Sequence, residues 1–334
     1  MILVTGGAGY IGSHAVKLLL EKGEKVAVLD NLSRGYGQAI ETLQKKYGKD
    51  NMLFFKADLK NKQELLEVFG KIKPEGVMHF AAFCLPNESM EKPEIYFENN
   101  VFGSLNLLEV MKENGIKNLV FSSTCAVYGE SKYLPMDEKH PLSPINPYGE
   151  SKLIVERMIG WFGKIYGLKS VVFRYFNVSG ASADGVIGDS KKPSQLLVQN
   201  AVKGALGIEP FKLTCPKVET ADGTPIRDYI NVEDLVEAHA AALDYLKSDG
   251  ESEVFNLGTG RGNSVLEVVE VVKKTTGKNF PIEPGEARKG EYAEVYADIS
   301  KAKKILKWEP RKTIEDSVKA LVKWYTNHPQ GWEY

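Results

Sequence analysis

The chain has 334 residues, 43% hydrophobic and 26% charged, enough to bury a full core in one large domain or two unequal ones. Its 43 basic and 44 acidic residues leave a formal net charge of -1, so no overall field draws in a nucleic-acid backbone or an anionic membrane. Cys84, Cys125 and Cys215 form no CxxC pair, which argues against a metal site or a disulfide framework and suits a reducing cytoplasm, and no charged leader or bilayer-length apolar run is read.

In chain order, the β-rich run Ile2 to Thr5 leads into Gly6-Gly7-Ala8-Gly9-Tyr10-Ile11-Gly12, and a helix-like segment from Ile11 to Leu20 follows. Glycines between a strand and a helix allow backbone to approach a pyrophosphate, which the helix N-terminus attracts with unpaired N–H groups. A second strand, Lys25 to Asp30, ends on a carboxylate 18 residues after Gly12, placed to accept hydrogen bonds from an adenosine ribose diol and to repel a 2'-phosphate. NAD is therefore favoured over NADP, and Arg34 in the following loop reads as a solvated charge. As a structural alternative, Asp30 serves only as a cap or turn residue.

Strands are expected at Met52 to Ala57 and Gly76 to Ala81, followed by Asp58-Leu59 and by Phe80-Ala81-Ala82, at ends where an adenine and ribose lie in such folds. Asn99 opens a helix-like stretch and is a candidate for the nicotinamide ribose or a plain cap. A fifth strand, Asn118 to Ser122, runs into Ser122-Ser123-Thr124, whose hydroxyls suit a reacting sugar oxygen. Pro147 fits a first helical position, which puts Tyr148 in an exposed first turn and Lys152 one turn on along the same face. A phenol ionises near ~10 and needs help to act as a base at neutral pH, which an ammonium and an oxidised nicotinamide can give. A sixth strand is expected at Ser170 to Phe176.

This alternation predicts an α/β fold with a doubly wound parallel sheet. After Asn177 the rhythm changes to a polar, glycine-containing stretch through Ser190 and then mixed short elements. The expected division is a dinucleotide-binding domain over 1–176 and a smaller mixed α/β substrate lobe over 177–334. Segments near 228–260, including a helix from Val232 and the run Glu253 to Leu257, return to the first domain.

Together, Val4 to His14, Leu29-Asp30-Asn31-Leu32, His79-Phe80-Ala81-Ala82, Asn99-Asn100-Val101, Phe121 to Thr124, Tyr148 to Lys152, Arg174 to Asn177 and Arg227 to Ile230 resemble the extended short-chain dehydrogenase/reductases. The likeness is nearest to the UDP-glucose 4-epimerases and runs almost end to end. It implies a Rossmann-like NAD domain and a UDP-sugar substrate. Tyr148 takes the proton of the 4-hydroxyl as hydride leaves C4 and returns it after the keto sugar has turned over, so that UDP-glucose and UDP-galactose interconvert. Lys152, Thr124 and Ser123 complete the catalytic set.

The same resemblance implies cofactor contacts from Gly6, Gly9, Tyr10, Ile11, Gly12, Asp30, Asn31, Ser33, Asp58, Leu59, Phe80, Ala81, Ala82, Asn99, Ser122, Tyr148, Lys152 and Tyr175. Thr124, Tyr148, Asn177, Arg227, Arg288 and Val295 are the implied substrate contacts, and no metal is implied. Cys84 stands where many relatives have lysine or serine, Thr214-Cys215 replaces a usual Phe-Gly, Gly290-Glu291 replaces Gly-Asp, and Gln195 and Leu196 fall where the alignment is ambiguous. Val295, where some relatives carry tyrosine, leaves room for an N-acetyl group. A related 4,6-dehydratase needs Asp-Glu after the threonine, where this chain has Cys125-Ala126, and a non-catalytic NAD-binding regulator would lack the Tyr148 and Lys152 pair, while epimerases of uronic acids and decarboxylases stay open because they differ in the variable second lobe. Leu153, Ile154, Val155, Met158, Ile159, Trp161, Phe162 and Ile165 cover more than one stripe of their helix, which favours a homodimer.

Overall fold

The apolar runs of the first half form six strands in the computed structural model, which describes residues 1–191, 194–286 and 292–332. These are β1 (Ile2–Thr5), β2 (Val26–Asp30), β3 (Met52–Lys56), β4 (Gly76–His79), β5 (Asn118–Ser122) and β6 (Lys169–Tyr175). With the strand Glu253–Leu257 they make one seven-stranded sheet, ordered Glu253–Leu257, β6, β5, β4, β1, β2, β3. The pairs β1–β2, β2–β3, β1–β4, β4–β5 and β5–β6 are all parallel. The chain winds outward from β1 through β2 to β3, then returns to β4 on the other side of β1. That reversal opens a crevice at the carboxyl ends of β1 and β4, where open α/β sheets hold their ligands.

Strand β4 stops at His79, two residues short of the predicted end. The glycine turn after β1 comes too close there for the ladder to continue: a Cβ on Gly6 would lie 2.6 Å from the Ala81 nitrogen.

One compact unit comprises Met1–Glu130, Pro141–Tyr175 and Val236–Phe255. Helices α1 (Tyr10–Glu21), α2 (Gly37–Tyr47), α3 (Lys62–Ile72), α4 (Gly103–Glu113) and α5 (Pro147–Tyr166) belong to it. Leu65 and Phe69 of α3, Leu107 and Met111 of α4, and Val155 and Ile159 of α5 pack with Leu3, Val77, Leu119 and Phe121 of the sheet in one buried cluster. Each such side chain contributes roughly 1.5–3 kcal/mol when fully buried. From the helix Val232–Lys247, Leu243 packs against Gly76, where a Cβ would be 2.9 Å from its Cδ1.

The other unit comprises Ser131–His140, Phe176–Leu235 and Asn256–Tyr334. Its strand Ile226–Arg227 lies between Asn263–Ser264 and Glu294–Val295, while Asn177–Ser179 pairs in parallel with Tyr229–Asn231. Helices Leu197–Leu206, Val265–Thr276 and Ile314–Asn327 pack on one another. Among the described residues, no helix is long and apolar enough to cross a membrane.

Candidate active site

The turn after β1 depends on glycine at defined atoms. Gly6 has φ +72, a left-handed conformation, and a Cβ on Gly12 would fall 2.1 Å from the Gly6 carbonyl oxygen. Helix α1 begins on Gly9 with no side-chain cap and no acid in its first turn, which suits an anion. Asp30 is buried and accepts from the backbone N–H of Ala8 at 3.0 Å and of Leu32 at 2.8 Å, so it ties the glycine turn to the end of β2. Burial raises its pKa while those two hydrogen bonds lower it. A bare backbone cradle beside a buried carboxylate fits a dinucleotide with a free ribose diol.

Around that carboxylate, Asn31 donates to Asp58 at 3.0 Å and accepts from the Ser33 N–H at 2.9 Å. Asn106 donates to the Leu59 carbonyl at 3.0 Å. Tyr10 is buried and Ile11 half-buried on the first turn of α1. Arg34 departs from the sequence reading: it is held by both carboxylate oxygens of Glu88, at 2.8 and 2.7 Å, and sits 4.3 Å over the Phe83 ring. A partner 54 residues away, which no local pattern signals, holds this loop charge in place.

At the ends of β4, β5 and β6, Phe80 and Tyr175 flank the buried His239 ring at 4.8 and 6.2 Å between centroids. Ala81 and Ala82 are half-buried beyond β4. Asn99 lies in a π-helical turn, Phe97–Phe102, half-buried, with its amide on Asn100 Oδ1 at 3.0 Å. The buried Asn100 also donates to the Phe83 carbonyl and to Ser151 Oγ, both at 3.0 Å, and Ser151 in turn donates to the Tyr148 carbonyl at 2.7 Å. The sequence reading passed over Asn100, whose neighbour carried the expectation.

Helix α5 starts as its sequence directs, with Pro147 in the first turn and Asn146 accepting from the Gly149 N–H at 2.8 Å. Gly149 lets it settle on the short helical turn Cys125–Val127, since a Cβ there would be 2.7 Å from the Ala126 carbonyl oxygen. This brings Tyr148 against Thr124. Thr124 Oγ1 accepts from the Ala126 N–H at 3.1 Å, and its hydroxyl bonds to the Tyr148 oxygen.

The expected exposure of Tyr148 is corrected. Tyr148 is only 9% exposed, and Lys152 4%. The first turn of α5 is closed over by the Tyr96 ring, 6.4 Å from that of Tyr148, and by the half-buried Cys84 and Cys125. Burial pushes the phenol well above the ordinary tyrosine range, with Cys84 and Tyr175 adding to the rise and the Thr124 hydrogen bond opposing it. Lys152 Nζ donates to the Ser122 carbonyl at 2.7 Å and lies 4.8 Å from the Phe121 ring centroid. Burial lowers its pKa to about 8, against the influence of Cys84 and Glu156. Position is what this helix supplies: Tyr148 and Lys152 lie one turn apart, both buried.

The three hydroxyls after β5 have different partners. Ser122 Oγ meets His239 Nε2 at 3.0 Å, whereas buried Ser123 donates to Glu156. Only Thr124 meets the phenol in these contacts.

In the other unit, Asn177, Gln195, Leu196, Thr214, Cys215 and Arg227 line one pocket. It lies at the start of helix Leu197–Leu206, which has no side-chain cap and no acid in its first turn. Residues whose register the sequence left open thus converge on the two it singled out. Arg227 donates to the Ile226 carbonyl at 2.8 Å, while the carboxylate of Asp228 accepts from Thr259, Gly260 and Ala297. Buried Val295 stands opposite Arg227 in a parallel pair. Arg288, Gly290 and Glu291 lie outside the described residues.

The family model for GDP-mannose 4,6 dehydratase matches residues 3–321. The chain is 42% identical to the UDP-glucose 4-epimerase of Lactobacillus helveticus over 99% of either protein. A Bifidobacterium longum UDP-glucose 4-epimerase crystallised with NAD+ and UDP superposes with a TM-score of 0.94 at 37% identity, covering 99% of both chains. The UDP-Glc/GlcNAc 4-epimerase of Campylobacter jejuni superposes with a TM-score of 0.84 at 39% identity over 98% of this chain and 99% of that one. With sequence and fold shared with these enzymes from end to end, this chain belongs to the UDP-glucose 4-epimerase family of the extended short-chain dehydrogenase/reductases.

Proposed function

We propose that the chain interconverts UDP-glucose and UDP-galactose by inverting C4 with tightly held NAD. The observation that carries this reading is Tyr148 and Lys152 buried one helical turn apart on α5, with the ammonium held by the Ser122 carbonyl. When bound, NAD supplies a hydride acceptor and donor for C4 and a fixed positive charge.

Tyr148 accepts the proton of the 4-hydroxyl and later returns it to the same oxygen, as hydride is redelivered to the opposite face of C4. Its phenolate is stabilised by the Thr124 hydroxyl, whose hydrogen bond already pulls the phenol pKa down. The Lys152 ammonium is anchored by the Ser122 carbonyl, which keeps the cation fixed through both directions of transfer. In the other unit, the Arg227 fork and the open N-terminus of Leu197–Leu206 suit a pyrophosphate. Asn177, Gln195, Leu196, Thr214 and Cys215 enclose the nucleotide, and Val295 leaves the sugar side open to a 2-acetamido group. Holding the nucleotide and leaving the sugar loosely held lets both faces of the keto sugar be presented in turn.

Purified protein incubated with UDP-galactose and no added cofactor is expected to yield UDP-glucose, and UDP-N-acetylglucosamine is expected to turn over in the same assay. No conversion of either sugar by folded, NAD-loaded protein would remove the proposal. Good galactose activity with no acetamido turnover would remove only the role of Val295.

The sugar-nucleotide enzyme is further proposed to act as a homodimer. Trp161 and Ile165, one turn apart on α5, are 61% and 62% exposed, Tyr166 of α5 is exposed as well, and so are Phe97 and Phe102 of the π-helical turn that contacts α5. A second copy covering this face would bury its apolar area. Sedimentation equilibrium should give twice the chain mass, and Trp161→Glu should halve it; a monomeric wild type would refute the assembly.

A further inference from the structure

Counting on from Tyr148 and Lys152 in steps of four brings Glu156 onto the same face of α5, and it is the residue there that the proposed chemistry does not use. Its carboxylate is buried against the Arg174 guanidinium of β6, with side-chain exposures of 7% and 6%. Arg174 Nε donates to both carboxylate oxygens at 3.1 and 3.2 Å, and a terminal nitrogen donates to one of them at 2.5 Å. The other terminal nitrogen reaches the Tyr128 hydroxyl at 3.2 Å, with the guanidinium 5.0 Å over that ring. Buried Ser123 donates to the same carboxylate.

These contacts join three elements around the reacting phenol. Ser123 immediately precedes Thr124, and Tyr128 immediately follows the short turn that Thr124 caps. The Glu156–Arg174 pair is thus bonded on both sides of Thr124, to Ser123 before it and to Tyr128 after the turn it caps. Glu156 also lies one helical turn from Lys152, and its charge acts on that ammonium. Lys152 faces Tyr148 and Glu156 on its own helix, His79 on β4, Cys84 beyond β4, and the Ser122 carbonyl and Phe121 ring on β5. His79 is neutral, lowered to about 3 by burial and then by Lys152. Glu156 is thus the one carboxylate among these groups, and its charge is in turn matched by Arg174.

Resting on the reading of Tyr148 and Lys152 as the catalytic pair, we infer that the buried Glu156–Arg174 ion pair is a positioning unit: it fixes Thr124 through Ser123 and balances the charge seen by the Lys152 ammonium. Removing either charge leaves the other buried and uncompensated next to that ammonium. The two removals must then act on Lys152 with opposite sign.

The test is the pH dependence of turnover with UDP-galactose for Glu156→Gln, Arg174→Gln and the double variant, each checked for folding by circular dichroism and for NAD released on denaturation. Glu156→Gln leaves a net positive neighbour, so the alkaline limb set by loss of the Lys152 proton moves to lower pH. Arg174→Gln leaves a net negative one and moves it higher. Each displacement is expected to be roughly one pH unit, with kcat reduced by about tenfold or more and KM changed far less. The double variant falls between the two. Mere loosening of the fold would lower activity in both single variants without opposed displacements, and limbs that move together or stay in place overturn the inference. Should a single variant fail to fold, Glu156→Asp keeps the charge and is expected to keep the wild-type limb at reduced kcat, while a double variant with wild-type limb and kcat overturns the proposal. Tyr148→Phe in the same assay separates the two levels. If it retains turnover, the reading of the catalytic pair fails; if it is inactive and the limbs do not diverge, only the inference about Glu156 and Arg174 fails.

Discussion

Tyr148→Phe is expected to lower turnover by about 10³-fold or more while the fold and the bound NAD are kept, a loss of ~4 kcal/mol in transition-state stabilisation. The substitution removes one oxygen, which in this site is the only group expected to take and return the C4 hydroxyl proton. Its cost to the fold is small. The hydroxyl meets Thr124, whose own oxygen also accepts from the Ala126 N–H, so one neutral hydrogen bond worth about 0.5–1.5 kcal/mol is lost. Turnover by steady-state kinetics, together with cofactor released on denaturation, checks both halves. Retained turnover would assign the proton transfer to another group, and lost NAD would mean that the variant tests binding rather than chemistry.

Lys152→Met is expected to lower turnover by about 10²-fold or more without destabilising the protein. Burial lowers the ammonium from 10.5 to about 8, so protonating the folded state is harder than protonating the unfolded chain. The penalty, about 3 kcal/mol, is fully present below pH 8 and is relieved as pH rises from there towards 10.5. Methionine removes that penalty but leaves the Ser122 carbonyl without its donor, at roughly 1–3 kcal/mol, so the two terms nearly cancel. Wild-type stability at neutral pH should therefore be matched or exceeded by the variant, and the gain in wild-type stability between pH 8 and 10.5 should be absent from it. Chemical denaturation across that range measures both. A variant several kcal/mol less stable than wild type at pH 7 would show that the buried ammonium supports the fold as well as the reaction.

Much of this was open to reading because the signals are local. The parallel sheet announces itself through short apolar runs separated by helix-length segments, and the glycine turn through the strand, helix and Asp30 around it. Tyr148 and Lys152 are legible from one helical turn of spacing. Their burial is not, because it is made by Tyr96 and by the segments carrying Cys84 and Cys125, which α5 meets only in the folded chain.

The same limit explains the other departures. Arg34 is claimed by Glu88 and Phe83 from beyond β4, and Ser123 by Glu156 from α5, so neither stands as its immediate neighbours imply. Glu156 itself carried a usable signal, since it continues the four-residue ladder from Tyr148 through Lys152, whereas nothing local marks His239 as the partner of Ser122. Gln195, Leu196, Thr214 and Cys215 sit on short segments with weak periodicity, and only tertiary packing gathers them round Asn177 and Arg227.

In the proposed reaction the hydride that leaves C4 is the one that returns to it, and Tyr148 carries only the hydroxyl proton. Wild-type protein given UDP-galactose carrying deuterium at C4, with no cofactor added, is predicted to form UDP-glucose with the deuterium still at C4. Product in which that deuterium has been replaced by solvent hydrogen would contradict it.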